Sequence, residues 1–300
     1  MPSPTEPAAP SPATAAADAT RSPYLGHQPR TPAPGVGDGT HWNPARYLTF
    51  SGERLQPFID LLHRAGVPEA RRIVDLGCGP GTGMPVLRAL WPQAEITGVD
   101  SSAEMLERAA QSTAEDAGIS YLRADIRDLQ LEEPADLIVS NAALQWLPDH
   151  RALLPQILDQ VAPGGALAVQ IPGNFSAPSH RLLAEFAAAE PYAEHIDPQT
   201  LLQPTADLPE YMLDVAREGW TVDAWETRYH HILTGDDPVF TWISSTAARP
   251  VLQALPDPLR EQFIAEFKRA LAEAYPPTRL GTILPFRRMF FIARRPSQAG

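Results

Sequence analysis

The sequence predicts a doubly wound α/β fold, a mostly parallel sheet covered by helices on both faces. Three observations carry this: short apolar runs alternate with helical-period segments between Ile73 and Ile171, a glycine-rich turn closes the first of those runs, and 300 residues at 44% hydrophobic composition suffice for one substantial core. Residues 1–39 are rich in Pro, Ala, Ser, Thr and Gly, a composition that cannot offset the entropy of ordering a backbone, so a disordered tail is expected there. Residues 40–300 read as one domain, a core over 40–172 followed by insertions and final strands over 173–300. From Ser51, the residues Leu55, Phe58, Ile59, Leu61 and Leu62 recur at helical spacing, and Gly66 and Pro68 supply a stop. Strands are then expected at 73–76, 95–100, 119–123, 137–140 and 166–171, with helices at 85–91, 103–111 and 149–161 and a turn at Pro163-Gly164-Gly165. After Pro172 the rhythm breaks. Segments 179–189, 209–217 and 259–274 have helical periodicity, 221–232 alternates like a strand, and 283–293, with Met289, Phe290, Phe291 and Ile292, suits a buried final strand.

The net charge is -12, and the basic residues form no run interleaved with aromatics, which argues against nucleic acid as a partner. No segment approaches the roughly 18 apolar residues of a membrane span, and the N-terminus lacks the apolar core of a secretory signal. The single cysteine, Cys78, excludes an intramolecular disulfide and a thiolate metal cluster, which fits a reducing cytosol. His230 and His231 are adjacent, and neighbours on a strand point to opposite faces, so with His195 they make a poor metal site; no metal is expected. An anionic substrate would be repelled by the surface at long range and must be gripped by a local arginine cluster. The oligomeric state is open, a monomer included.

In a doubly wound sheet, ligands bind beyond the carboxyl ends of the strands, where glycines let the backbone approach them closely. Asp75-Leu76-Gly77-Cys78-Gly79-Pro80-Gly81 occupies that place. Gly77, Gly79 and Gly81 can take positive φ or clear space for a ligand, and Cys78 reads as a small packing residue rather than a nucleophile. A glycine triplet also fits a dinucleotide fingerprint. The acid before the first glycine and Pro80 discriminate, because proline withdraws an N–H from a loop that would otherwise donate to pyrophosphate, so a phosphate-free nucleotide fits better. Asp100 stands at roughly the 20-residue spacing at which an acid accepts both ribose hydroxyls; its alternative is a helix N-cap, which Ser101 or Ser102 could supply equally well. Asp125 ends the third strand, where a carboxylate can accept from an adenine amino group while Ile126 packs on the ring; alone it would be an ordinary turn aspartate. Ser101, Met105 and Asn141 complete this side.

In order, 75–81, Asp100, Ala124-Asp125-Ile126, 140–146 and the Pro163-Gly164-Gly165 turn resemble the motifs of class I S-adenosylmethionine-dependent methyltransferases. The resemblance implies a Rossmann-like, seven-stranded, mostly parallel sheet of order 3-2-1-4-5-7-6, helices on both faces, a helical C-terminal insertion over the cleft, and S-adenosyl-L-methionine as cofactor. Outside that core, Trp42-Asn43-Pro44 with Tyr47, and the segments 50–54, 141–150, 168–174 and 285–288, are similar to the trans-aconitate 2-methyltransferases, from Trp42 to about Arg295. That family implies transfer of the sulfonium methyl to a carboxylate of trans-aconitate, giving a monomethyl ester and S-adenosylhomocysteine.

A carboxylate is ionised at neutral pH, so methylating it needs no general base, and no catalytic residue of that kind is assigned. The reaction joins an anionic oxygen to a cationic sulfonium, which favours a dry cleft holding the atoms in line at about 3 Å. Cations should then bind the carboxylates that do not react, and arginine suits them. The candidates for this polycarboxylate site are Arg46, Arg249, Arg287 and Arg288, with Trp42, Tyr47, Trp146, Gln170, Asn174, Tyr211 and His231 as orienting or wall residues. Trp42 and Tyr47 either close over the cofactor or anchor the start of the domain. Competing functions are a methyltransferase for another small carboxylate or hydroxyl, a regulator that binds S-adenosylmethionine without turnover, and a nicotinamide-dependent oxidoreductase.

Overall fold

A computed structural model describes residues 51–113, 116–198, 201 and 204–297. The expected tail, and Trp42, Arg46 and Tyr47, lie outside the described residues. Helix α1 (Ser51–Arg64) precedes a run of strands and helices: β1 (Arg72–Leu76), α2 (Met84–Leu90), β2 (Glu95–Asp100), α3 (Ala103–Ser112), β3 (Ile119–Arg123), β4 (Ala135–Asn141), α4 (His150–Asp159) and β5 (Val161–Pro172). Helices α5 (Pro178–Ala187) and α6 (Leu208–Asp214) lead to the long strand β6 (Thr221–Leu233). Helices α7 (Pro238–Ser244), α8 (Arg249–Ala254) and α9 (Asp257–Ala274), the two-residue β7 (Pro277–Thr278) and β8 (Gly281–Arg294) complete the chain.

The sheet order is β3-β2-β1-β4-β5-β8-β6, with β7 paired to β8 off this path. Strands β1 to β5 run parallel, and β8 enters antiparallel between β5 and β6. The sheet thus has eight strands rather than seven, the addition being the short arm β7, which folds back on Gly281 and Thr282. Helix α4 stops at Asp159, short of the expected Val161, because Val161 already pairs with Ala135 as the first residue of β5. The ladder between β4 and β5 slips there: Ala135 faces Val161 while Leu137 faces Ala166, so the Pro163-Gly164-Gly165 turn is a bulge inside the strand.

Alternation along each strand sends side chains to two cores. On one face, Phe58, Leu61 and Leu62 of α1 and Leu87 of α2 pack on Ile73, Ile96, Phe290 and Ile292. On the other, Leu154, Ile157 and Leu158 of α4 and Tyr211 of α6 pack on Val74, Ile138, Val169 and Phe291. A third core, with Phe240, Trp242, Val251, Phe263 and Phe267, joins helices α5, α7, α8 and α9. Sequence periodicity leaves 238–254 unassigned, because α7 and α8 have only 7 and 6 residues and each carries a proline within its first two positions that reads locally as a breaker.

Candidate active site

The carboxyl ends of β1 and β2 are clasped together by the turn that follows β1. The N–H groups of Gly77 and Cys78 both donate to the Val99 carbonyl, at 2.8 and 3.0 Å. Gly77 and Gly79 have φ of +76° and +56°. A Cβ on Gly77 would stand 2.3 Å from the Ala143 Cβ, whereas one on Gly79 would meet nothing within 4 Å. Gly77 is glycine for the fold. At Gly79 the absent side chain leaves space at the edge of a cavity. Asp100 ends β2, and its carboxylate accepts from the Gly79 N–H and the Ser102 N–H, each at 2.9 Å. The N-cap of α3 is Ser102, whose hydroxyl accepts from the Met105 N–H at 3.4 Å, so capping does not consume Asp100.

A cavity of 630 Å³ opens beyond these strand ends. Asp75, Gly77, Cys78, Gly79, Asp100, Ser101, Met105, Asp125, Ile126 and Asn141 line it on the β1–β4 side. His180, Trp242, Arg249, Phe286 and Arg288 line it on the β8 and inserted-helix side, and Trp146, in the turn after β4, also lines it. The first group presents carboxylate and amide oxygens: Asp75, Asp100 and Asp125, and the Oδ1 of Asn141, which is buried with no hydrogen-bond partner among the described residues. Such an acceptor set suits a cationic ligand rich in N–H and O–H donors, and the open cradle at Gly79 suits its close approach. The second group presents guanidinium donors, among them the Nε of Arg249, likewise buried without a partner among the described residues. That end suits anions.

Electrostatics sharpens this polarity. Asp75 is 5% exposed, and burial, then the charge of Asp100, pushes its carboxyl up to about 7. Burial, then Asp75 and Asp100, also raises the Cys78 thiol, so no thiolate nucleophile forms there. Asp125 goes the other way: hydrogen bonds from the Arg127 side chain and then its main-chain N–H hold the carboxyl at about 2. His180 is pushed down to about 4 by burial and then by the charge of Arg288, which leaves a neutral imidazole beside a guanidinium.

Several sequence candidates fall elsewhere. Gly81 does not line the cavity; a Cβ on it would come within 2.9 Å of the Ala109 Cβ, so it serves the packing of α3. Tyr211 is buried on the far face of the sheet, its hydroxyl 2.7 Å from His150 Nε2 and its ring stacked on Phe291 at 5.1 Å. It is a core residue, not a wall of the cleft. Asn174 clips β5 to β8, its Oδ1 accepting from the Arg287 N–H at 2.7 Å and its Nδ2 donating to the Arg287 carbonyl at 3.1 Å. Arg287 itself turns away from the cavity to pair with Glu226 and Asp207. Arg287 and Arg288 are successive strand residues, so only one of them can face the cleft. Gln170 is buried on β5 without lining the cavity, and neither of its side-chain amide atoms has a partner among the described residues. His231 stands one layer back, stacked at 4.6 Å on Trp242, which does line the cavity. Sequence does not single out His180 or Trp242, since nothing in their local pattern marks them and helices α5 and α7 bring them to the cleft; Phe286 falls within the segment 285–288 without being named as a site residue, and β8 carries it there.

Sheet order, glycine turn and acidic strand ends together define a Rossmann-like methyltransferase, and residues 73–165 match the family described as a methyltransferase domain. The chain is 45% identical to a trans-aconitate 2-methyltransferase of Streptomyces coelicolor, over 86% of this chain and 88% of that one. It is 44% identical to the trans-aconitate 2-methyltransferase of Mycobacterium tuberculosis, over 84% of this chain and 96% of that one. Among solved structures, the YcgJ protein of Bacillus subtilis shares the fold with a TM-score of 0.53 at 14% identity, covering 82% of this chain and 99% of its own. The chain belongs to the trans-aconitate 2-methyltransferase family.

Proposed function

We propose that this protein transfers a methyl group from S-adenosyl-L-methionine to a carboxylate of trans-aconitate, giving a monomethyl ester and S-adenosylhomocysteine. The observation that carries this reading is the polarity of the cavity beyond the strand ends, carboxylates at one end and arginines at the other. When bound, the cofactor supplies an electrophilic methyl on a cationic sulfonium. Asp100 would accept from the ribose hydroxyls with the lone pairs left over from Gly79 and Ser102. Asp125 and Ile126 would border the adenine, Asn141 Oδ1 would take a donor, and Asp75 would balance positive charge. At the other end Arg249 and Arg288 would hold the unreactive carboxylates, because pairing the attacking oxygen tightly would blunt it. Trp242 and Phe286, both buried, would exclude water from the cavity wall, which raises the value of each charge contact and leaves catalysis mostly to positioning.

We read residues 40–300 as one domain; the oligomeric state is open, and a monomer is compatible with a cavity whose two ends are lined by one chain. A cytosolic location is inferred from the lone cysteine; among the described residues no helix is long and apolar enough to cross a membrane. The test is a panel of small acids with cofactor carrying a labelled methyl. Ester formation on trans-aconitate well above the other acids is expected; robust methylation of an unrelated acid with none on trans-aconitate would displace the reading.

A further inference from the structure

His180 begins as an unremarkable residue of α5, a helix that sequence periodicity marks only as amphipathic. The fold carries it to the arginine end of the cavity. Its ring is held edge-on between Phe175 and Phe286, at centroid distances of 5.8 and 6.4 Å. Its Nδ1 lies 3.2 Å from the hydroxyl of Ser179, a residue that is 2% exposed. That hydroxyl has no other hydrogen-bond partner among the described residues, and a buried O–H must donate. It donates to Nδ1, which leaves the ring proton on Nε2. Nε2 in turn has no hydrogen-bond partner among the described residues. The backbone beneath is fixed as well, because the Ser179 N–H donates to the Tyr275 hydroxyl at 3.0 Å, at the C-terminal end of α9.

A neutral N–H donor, locked in one tautomer and set beside the guanidinium of Arg288, matches a carboxylate that must be held and not activated. We propose that His180 binds an unreactive carboxylate of the acceptor through its Nε2–H, jointly with Arg288, and so makes a second carboxylate a requirement for the substrate. This rests on the acceptor reading above. Ser179 is then a positioning residue that acts through His180. Burial and Arg288 keep the imidazole uncharged at neutral pH, which makes the contact a directed hydrogen bond rather than a second cation. The carboxylate that reacts is left facing the acidic end of the cavity, where the methyl donor would lie.

The test uses the full chain and three variants, His180→Phe, His180→Gln and Ser179→Ala. Phe keeps a flat ring without the donor, whereas the Gln amide N–H can reach the place of Nε2–H. For wild type and each variant, KM and kcat for trans-aconitate are measured at saturating cofactor. Calorimetry gives the affinity of the S-adenosylhomocysteine-loaded protein for trans-aconitate, and of the free protein for S-adenosylhomocysteine. A hydrogen bond to a charged group predicts that His180→Phe raises KM and the acceptor Kd by roughly 10- to 100-fold, with kcat changed far less and S-adenosylhomocysteine affinity kept. His180→Gln should recover most of the loss, and Ser179→Ala should raise KM severalfold. The inference is overturned if KM and acceptor Kd in His180→Phe stay within about twofold of wild type, or if Gln is as defective as Phe. Should His180→Phe fail to fold, the other two decide: a near-normal KM for Gln with a raised KM for Ser179→Ala supports it, and any other pattern overturns it. A wild type that neither binds nor esterifies trans-aconitate ends the functional reading and this inference together; an active wild type indifferent to these changes ends the inference alone.

Discussion

Asp75 occupies a place where a carboxylate is hard to ionise, and the consequence is measurable without substrate. Its folded value of about 7 lies above the ordinary aspartate value of 3.8, so the protonated form favours the folded state. That contribution is fully present below the unfolded value and is lost as pH rises through about 7. Without ligand, the melting temperature should therefore fall more steeply between about pH 5 and 8 in wild type than in Asp75→Asn, as thermal scans across that range would show. A cation bound nearby reverses the preference and ionises Asp75. Cofactor binding near neutral pH should then release a proton, visible as a binding heat that varies with buffer ionisation enthalpy and stops varying in Asp75→Asn. Arg287 and Arg288 provide the second contrast at this scale. Removing Arg288 should raise KM for the acceptor by about tenfold or more, the scale of a charged hydrogen bond, while removing Arg287 loses its pairing with Glu226 and Asp207 and leaves KM alone. Steady-state kinetics on the two alanine variants separates them, and equal effects on KM would contradict the facing assigned to each.

Among the elements, the glycine turn separates folding from binding within three residues. Gly77→Ala meets both a strained φ and the Ala143 side chain, so it should destabilise the protein by about 1–3 kcal/mol in denaturant unfolding. Gly79→Ala meets only the φ penalty, of about 1–2 kcal/mol, yet puts a methyl into the cradle, so its larger effect should be on cofactor affinity by calorimetry. Helix α6 supplies the complementary case. Tyr211→Phe removes a buried hydrogen bond to His150 and should cost about 1 kcal/mol of stability, with KM for both substrates unchanged. The strands were legible because parallel strands buried on both faces leave dense apolar runs bounded by glycine and aspartate. What periodicity cannot say is which way a given strand residue faces once both faces are buried. Hence Arg287 and Arg288 read alike in sequence; for Tyr211 on helix α6 and Asn174 just past β5 the missing information is tertiary, since their partners are His150 and the Arg287 backbone.

For the molecule as a whole, the two halves of the cavity differ in how they are encoded. The acidic half is written at strand ends, a fixed place in any doubly wound sheet, so Asp75, Asp100, Asp125 and Asn141 could be named from position. The arginine half is assembled from α5, α7, α8 and β8, whose outermost contributors, His180 and Arg288, stand 108 positions apart in the chain (288 − 180), and no local pattern records their convergence. The whole-molecule charge acts on this half in a way that can be tested. At a net charge of -12 the protein repels a polyanionic acceptor over the long range, while the arginines attract it only once it is inside the cleft. The screening length shrinks from about 30 Å at 0.01 M salt to about 8 Å at 0.15 M, so added salt removes the distant repulsion first and weakens contact pairing in a closed cleft least. Across about 10 to 150 mM of an inert salt, kcat/KM for trans-aconitate should rise, and only at higher salt should competition for the arginines bring it down. A kcat/KM that falls steadily from the lowest salt would mean that the arginine field reaches bulk solvent and outweighs the net charge, so that the acceptor is drawn in by steering rather than admitted against a barrier.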